Sequence, residues 1–238
     1  MTPGPSRPVR LTLLFDIDGT LLLTGGAGQV AFERAFEECF GVAESWGGVV
    51  PDGKTDPIIF GEIARRMIGR DLSASEYEDL CERYLRYFPE ALERSDRFRL
   101  MPGVTELLAD LRRDEGLLLG VATGNLEAAA WHKLKRGKLD PFFSFGGFGS
   151  DAVKREELVL RAIERARRLA PSSQLKAEHF VVIGDTPLDV AAAKANGVRV
   201  IGVATGSWSA AELTASGADL ALDDLSDPRP LTDYLRSL

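Results

Sequence analysis

Short apolar runs that alternate with helical patterns constrain the fold of this chain more than any other sequence feature. Each run is rich in Leu or β-branched residues and ends near Gly, Asp or Thr, which is typical of strands buried on both faces of a parallel sheet. The runs cover residues 11–16, 117–123, 180–185, 199–205 and 218–224. Amphipathic helical patterns lie between them, for example in 102–116 and 156–169. The alternation predicts an α/β fold with a doubly wound, Rossmann-like parallel sheet.

Residues 24–98 interrupt this alternation, because they contain three successive helical patterns and no convincing strand. The third pattern opens with Ser73 and Glu76, which are spaced as in a capping box. We therefore expect an all-helical insert at 24–98 and an α/β core formed by 1–23 and 99–238. The stretch 26–31 also matches a dinucleotide-binding glycine pattern, but no strand ending in an acid follows about 20 residues later. We interpret its glycines as a flexible connection into the insert.

The charge balance limits the partners that this chain can have. Its 238 residues include 29 Lys and Arg against 36 Asp and Glu, a formal charge of -7. This balance argues against nucleic-acid or anionic-membrane binding through general electrostatics. The N-terminal residues lack the apolar region of a secretory signal, and no apolar run approaches the ~18 residues of a membrane span. We expect a cytoplasmic protein that is a monomer or a homodimer.

Carboxylates follow two of the predicted strands. Asp16 ends the first run and Asp18 lies two residues later, and Asp185 ends the run at 180–185. Asp189 lies four residues further on, where it can also form half of a capping box with Thr186. Ligands bind at the carboxyl ends of parallel strands, so these acids can converge there.

Convergence of these carboxylates would destabilise the fold unless they are protonated or a cation neutralises them. Two like charges about 4 Å apart repel by about 4 kcal/mol at an effective dielectric constant near 20. A divalent cation would relieve the repulsion, and hard oxygen ligands favour Mg²⁺, which often binds phosphate oxygens as well. The carboxylates therefore indicate phosphoryl chemistry.

Four stretches in a fixed order resemble the haloacid dehalogenase-like hydrolase superfamily. They are DIDGT (16–20), VATGN (121–125), the cation-bearing DAVKREELV (151–159) and GDTPLD (184–189). The helical insert is similar to the cap of that superfamily, and its size and the GKTD stretch (53–56) resemble the phosphoglycolate phosphatase-like branch.

The resemblance implies roles for individual residues. Asp16 would be the nucleophile that becomes an aspartyl phosphate, and Asp18 would protonate the leaving oxygen and then activate water. Phosphoryl oxygens would be held by Thr123, Gly124 and Asn125. Mg²⁺ would be bound by Asp16, Asp185 and the main-chain carbonyl of Ile17 or Asp18, with Asp189 supporting the ion directly or through water.

The third motif departs from the pattern of the superfamily. A lysine before a proline-containing helix start is usual there, whereas this chain has adjacent Lys154 and Arg155 and no proline. Either cation could neutralise the nucleophile and the phosphate. Because the residues that follow resemble members with arginine at this position, we favour Arg155.

Asp18 also indicates the type of reaction, because a dehalogenase of this superfamily has no acid at that position. We expect a Mg²⁺-dependent phosphomonoester hydrolase whose partner is a small phosphate ester, either phosphoglycolate-like or a sugar phosphate. Lys54 in the insert is the candidate contact for the rest of the substrate, although it could equally be a solvated turn lysine. The alternatives are a sugar phosphomutase of the same superfamily and a catalytically silent phosphate-binding module.

Overall fold

The computed structural model describes residues 8–238, which form a parallel sheet with flanking helices and a separate group of three helices. The strands are β1 (Leu11–Phe15), β2 (Leu22–Leu23), β3 (Arg99–Leu100), β4 (Leu117–Ala122), β5 (Gly146–Gly147), β6 (Phe180–Gly184), β7 (Arg199–Val203) and β8 (Leu220–Leu222). The helices are α1 (Ala27–Phe40), α2 (Asp56–Ile68), α3 (Ala74–Arg94), α4 (Val104–Leu111), α5 (Glu127–Arg136), α6 (Arg155–Leu169), α7 (Pro187–Ala195), α8 (Ala210–Ala215) and α9 (Arg229–Arg236). Among the described residues, no helix is long and apolar enough to cross a membrane.

Six strands form one sheet in the order β5-β4-β1-β6-β7-β8, and every neighbouring pair is parallel. Apolar residues cover both faces of the sheet. Leu13 and Phe15 of β1 belong to the apolar cluster on one face, whereas Leu14 belongs to the cluster on the other. The predicted doubly wound α/β core is therefore confirmed.

The short strand β5 is missing from the sequence prediction, because Gly146 and Gly147 have no apolar side chains to mark it. Glycine is required there by the close approach of α6 to the sheet edge. A Cβ atom on Gly147 would lie 1.9 Å from the carbonyl oxygen of Leu158. The missing side chain thus lets α6 pack directly against this edge.

Helices α1, α2 and α3 form most of a third apolar cluster, which also includes Leu126 and Ala129 at the start of α5 in the core. Aromatic side chains dominate it: the ring centroids of Phe32 and Phe60 are 4.7 Å apart. The predicted capping box of Ser73 and Glu76 is present at the start of α3. This helix continues through Pro89 to Arg94, beyond the apolar pattern that predicted it.

The two chain connections to the helical insert lie side by side. Leu22 pairs with Leu100 and Leu23 with Arg99 in an antiparallel two-stranded ribbon of β2 and β3. Gly26 precedes α1 in a left-handed conformation with φ of 95°. The chain therefore leaves and re-enters the core at one place, while the insert boundaries near residues 24 and 98 stay a prediction.

Replacement of Phe32 by Ala tests the apolar cluster of the insert. Phe32 is fully buried against Phe36, Trp46 and Phe60. We expect Phe32→Ala to lower the free energy of unfolding by about 3–5 kcal/mol, because truncation leaves a cavity. The control is Val30→Ala on the same helix, where the side chain is 50% exposed and the change should stay within about 0.5 kcal/mol. Urea denaturation measures both, and equal effects would contradict the packing described here.

Candidate active site

Three carboxylates meet at the carboxyl edge of the sheet. Asp16 follows β1 and Asp185 follows the neighbouring strand β6, while Asp189 lies in the first turn of α7. The Asp16 amide donates a hydrogen bond of 2.8 Å to the Ile183 carbonyl, which continues the β1–β6 pairing. All three side chains are buried, and one oxygen from each lies within 4.8 Å of the other two. Such an oxygen cluster could hold a divalent cation.

Two glycines allow the neighbouring loops to approach Asp185. A Cβ on Gly19, whose φ is +80°, would lie 2.2 Å from Asp185 Oδ2, and a Cβ on Gly206 would lie 1.9 Å from the same atom. Thr20 donates a hydrogen bond of 3.2 Å to Asp185 Oδ1. Thr205 donates one of 2.5 Å to the Gly19 carbonyl. The loop after β7 therefore belongs to the site, although the sequence reasoning did not include it.

The main-chain carbonyl of Ile17 takes part in the turn that follows β1. The Ile17 carbonyl accepts hydrogen bonds from the amides of Leu21 and Leu22, at 2.9 and 3.0 Å. These bonds hold the turn that presents Asp18. The Ile17 oxygen is therefore already engaged inside the turn.

Arg155, rather than Lys154, reaches the carboxylates. Arg155 is the first residue of α6 and is buried, whereas Lys154 precedes the helix and is exposed. Arg155 Nη2 lies 2.7 Å from Asp16 Oδ2 and 2.5 Å from Asp189 Oδ1. Its Nη1 donates a hydrogen bond of 2.9 Å to the Gly53 carbonyl of the helical insert. One guanidinium thus connects the carboxylate cluster with the insert.

Asp189 forms the capping box suggested by the sequence and also belongs to the cluster. Its Oδ2 accepts hydrogen bonds from the Thr186 amide at 3.1 Å and the Thr186 hydroxyl at 2.8 Å. Its Oδ1 accepts one of 2.9 Å from Arg155 Nε. Both oxygens of Asp189 therefore already have protein partners.

Burial makes ionisation of Asp16 and Asp185 unfavourable. Burial raises the pKa of Asp16 to about 7, where the Arg155 charge opposes the effect and the neighbouring acids add to it. Burial also raises the pKa of Asp185 to about 8, with Asp189 and Asp16 contributing in the same direction. One arginine is thus too little positive charge for three ionised carboxylates, and a bound cation would favour their charged forms.

The segment after β4 supplies the next part of the site. The Thr123 hydroxyl donates a hydrogen bond of 3.2 Å to Asn125 Oδ1. Lys133 Nζ donates to the same oxygen at 2.9 Å and to Asp18 Oδ2 at 2.5 Å. The sequence reasoning missed Lys133, although its spacing from the buried Ala129 and Ala130 places it on the inner face of α5.

The start of α2 docks against this same segment. The Asp56 amide donates a hydrogen bond of 2.7 Å to the Gly124 carbonyl, and Asp56 Oδ2 accepts one of 2.8 Å from the Leu126 amide. Burial raises the pKa of Asp56 to about 6, and the Lys133 charge opposes that rise. A Cβ on Gly124 would lie 2.3 Å from the Lys54 carbonyl. Gly124 is thus needed for the insert to approach so closely.

A cavity of about 660 Å³ lies between the core and the insert. Asp16, Asp18 and Asp185 line it from the core. Lys54 lines it from the insert, and its Nζ lies 2.6 Å from Glu62 Oε2. The remaining predicted residues on its wall are Thr123, Gly124, Asn125 and Arg155. Asp189 and Lys154 are not among the residues that line the cavity.

Comparisons with known proteins identify the family of this chain. Residues 13–203 match the family model described as haloacid dehalogenase-like hydrolase. A protein of Caldanaerobacter subterraneus subsp. tengcongensis that carries the name pyrophosphatase PpaX is 28% identical over 200 residues, which cover 83% of this chain and 81% of the relative. The phosphoglycolate phosphatase of Pseudomonas putida is 26% identical over 223 residues, which cover 90% of this chain and 76% of that enzyme.

A solved structure supports the fold assignment. The crystal structure of a hydrolase from Pseudomonas syringae matches with a TM-score of 0.67 at 24% identity, covering 96% of this chain and 99% of that one. The resemblance predicted from the four motifs is confirmed, since the family model spans all of them. The chain therefore belongs to the haloacid dehalogenase-like hydrolases.

Proposed function

We propose that this enzyme is a Mg²⁺-dependent phosphatase that hydrolyses a small phosphate monoester through an aspartyl phosphate. The observation that carries the proposal is the position of Asp16 on the cavity wall. Its carboxylate is paired with Arg155 at 2.7 Å and clustered with Asp185, while the half-buried Asp18 lies two residues further along the loop. Asp18 supports a phosphate monoester because an alkoxide leaving group requires a proton.

The carboxylate cluster fits a magnesium ion. Asp16 and Asp185 would supply carboxylate oxygens, and the main-chain carbonyl of Asp18 fits better than that of Ile17, which already accepts two hydrogen bonds in the turn. Asp189 would act indirectly, because both of its oxygens already have protein partners. When bound, Mg²⁺ supplies positive charge for the phosphoryl oxygens and for the ionised carboxylates.

In the first step, Asp16 attacks the phosphorus atom and the bond to the leaving oxygen breaks. Asp16 Oδ1 is the attacking atom in this proposal, since Oδ2 is paired with Arg155. Asp18 donates its proton to the leaving oxygen, so the alcohol departs neutral. The backbone amides of Gly124 and Asn125 are the proposed donors to the phosphoryl oxygens, joined by the Thr123 hydroxyl when it turns away from Asn125 Oδ1, to which it donates at 3.2 Å.

In the second step, water replaces the alcohol. The Asp18 carboxylate takes one proton from this water, whose oxygen attacks the phosphorus atom. The bond between phosphorus and Asp16 breaks, which restores the Asp16 carboxylate and releases inorganic phosphate. A phosphomutase would instead transfer the phosphoryl group to a second hydroxyl of the substrate, so phosphate release separates the two reactions.

The insert determines which ester fits in this proposal. Its segment 51–56 lies against the loop at 124–126, so a substrate with its phosphate at Asp16 extends toward Lys54. Arg97 and Arg99 also line the cavity, which favours an anionic or polar leaving group. Phosphoglycolate and sugar phosphates both satisfy this requirement.

Replacement of the proposed nucleophile tests the reaction. We expect wild-type protein with Mg²⁺ to release phosphate from members of a panel containing phosphoglycolate, pyrophosphate and sugar phosphates, and EDTA to stop this release. Asp16→Asn should abolish turnover, because an amide is a poor nucleophile. The control is Asp223→Asn, at an exposed position away from the cavity wall. Phosphate release by Asp16→Asn at the wild-type rate would rule out this role.

The raised pKa values predict how stability depends on pH without Mg²⁺. Asp16 and Asp185 bind protons more tightly in the folded chain, with pKa values of about 7 and about 8, than in the unfolded chain, where Asp titrates near about 4. Their contribution to stability is complete below about pH 4 and is lost as the pH rises through the folded-state values. In EDTA, the free energy of unfolding measured with urea should therefore carry a component that falls between about pH 5 and pH 8.5.

Asp185→Asn should remove part of this dependence. At pH 8.5 in EDTA we expect the variant to be more stable than the wild type by roughly 1–3 kcal/mol, because a buried charge is lost. Mg²⁺ should stabilise the wild type and have little effect on this variant. Asp223→Asn should behave like the wild type, and an Asp185→Asn variant with the wild-type pH dependence would contradict the electrostatic account.

Lys54→Met tests the substrate contact proposed for the insert. We expect KM for the preferred anionic ester to rise about tenfold, because one charge-assisted hydrogen bond contributes about 1.5–3 kcal/mol, while kcat changes little. Lys135→Met is the control, since Lys135 is exposed on α5 and does not line the cavity. Steady-state kinetics over the substrate panel would measure the KM of both variants. An unchanged KM of Lys54→Met for every ester would place Lys54 outside the substrate site.

A further inference from the structure

Lys133 is a buried charge whose hydrogen-bond partners belong to the active site. Its side chain is 6% exposed, and it lies on the inner face of α5 beside Ala129, Ala130 and Leu134. Removing an ammonium group from water costs several kcal/mol unless close partners compensate. An apolar residue would suit this face of the helix on packing grounds alone. The position of Lys133 thus calls for an explanation from its partners.

Those partners are Asp18 and Asn125. Lys133 Nζ lies 2.5 Å from Asp18 Oδ2 and 2.9 Å from Asn125 Oδ1, and all three residues line the cavity. Within residues 8–238, Lys133 provides the side-chain hydrogen bond to the Asp18 carboxylate. Asp18 is 37% exposed and follows a strand in a turn, so without this bond its side chain would be free to rotate.

Lys133 is itself held by the helical insert. Its Nζ lies 5.9 Å from the centre of the Phe88 ring on α3. Its charge also acts on the buried Asp56 at the start of α2, next to the loop at 124–126. The ammonium group therefore has a fixed position between two core residues and two helices of the insert.

We propose that Lys133 is a positioning residue that fixes the orientation of the Asp18 carboxyl group for proton transfer. By occupying Oδ2, Lys133 leaves Oδ1 to exchange a proton with the leaving oxygen and then with water. The inference rests on the proposed function, in which Asp18 is the general acid and base. It assigns to α5 a part in catalysis that none of the four sequence motifs contains.

The inference predicts a dependence on the leaving group. An alkyl phosphate needs its leaving oxygen protonated, whereas p-nitrophenolate leaves without a proton. Lys133→Met should therefore slow alcohol release from the best alkyl phosphate of the panel by about 10- to 100-fold, the range expected for a misplaced catalytic group. Release of p-nitrophenol from p-nitrophenyl phosphate should slow several-fold less, and KM should change little for either ester. Rapid-quench measurements of a single turnover give these rates.

Further variants separate positioning from a general loss of structure. Lys133→Arg keeps the charge and should recover part of the lost rate. In the Asp18→Asn background, Lys133→Met should cause no further loss, because the group it positions is already gone. Lys135→Met on the same helix should behave like the wild type, and thermal unfolding monitors the folding of each variant. If Lys133→Met does not fold, Lys133→Gln takes its place in the same cycle.

The outcomes distinguish the inference from the proposed function. If the wild type releases no phosphate from any ester, the proposed function fails and the inference fails with it. If the wild type is active but Lys133→Met slows both esters equally, or its loss multiplies with that of Asp18→Asn, only the inference is overturned. A larger loss on the alkyl phosphate together with non-additivity would support it.

Discussion

The repulsion among Asp16, Asp185 and Asp189 is the constraint on which the rest of the site depends. The sheet order places β1 beside β6, so the first two of these acids must meet where those strands end. Arg155 neutralises part of this negative charge, because its guanidinium pairs with Asp16 at 2.7 Å and with Asp189 at 2.5 Å. The negative charge that remains, together with burial, raises the pKa values of Asp16 and Asp185. A divalent cation that takes oxygen ligands is the chemical complement of such an imbalance.

The buried strands and the capping residues could be predicted because each is specified by a local pattern. The preference for Arg155 over Lys154 depends on the resemblance of the residues that follow to superfamily members with arginine, although the spacing of Arg155 from Leu158 and Val159 also places it on the buried face of α6. Lys133 carried a similar signal on α5 that the motif-based reasoning did not use. Gly206 carried none, because its role depends on how closely the loop after β7 approaches Asp185. Local patterns do not predict contacts between segments that are distant in sequence.

The helical insert contributes more to the site than a cover over it. Its segment 51–56 is joined to the core through Arg155 and Gly53, through Thr55 and the Val153 carbonyl at 2.7 Å, and through Asp56. The β2–β3 ribbon forms a second connection. Any movement of the insert would therefore change the surroundings of the same groups that we propose for catalysis. In the reaction that we propose, these contacts would couple substrate fit to the geometry of the catalytic groups.

Stability alone does not account for the buried charges at this edge of the sheet. Apolar residues of similar volume can replace buried ion pairs with little or no loss of stability. Arg155 and Asp189 have local structural roles, in a contact with the insert and in a helix cap, but a neutral side chain could also cap α7. Asp16, which follows β1, has no comparable role, and Lys133 occupies a helix face that is otherwise apolar. Charges kept where folding does not require them are best explained by the reaction that we propose for them.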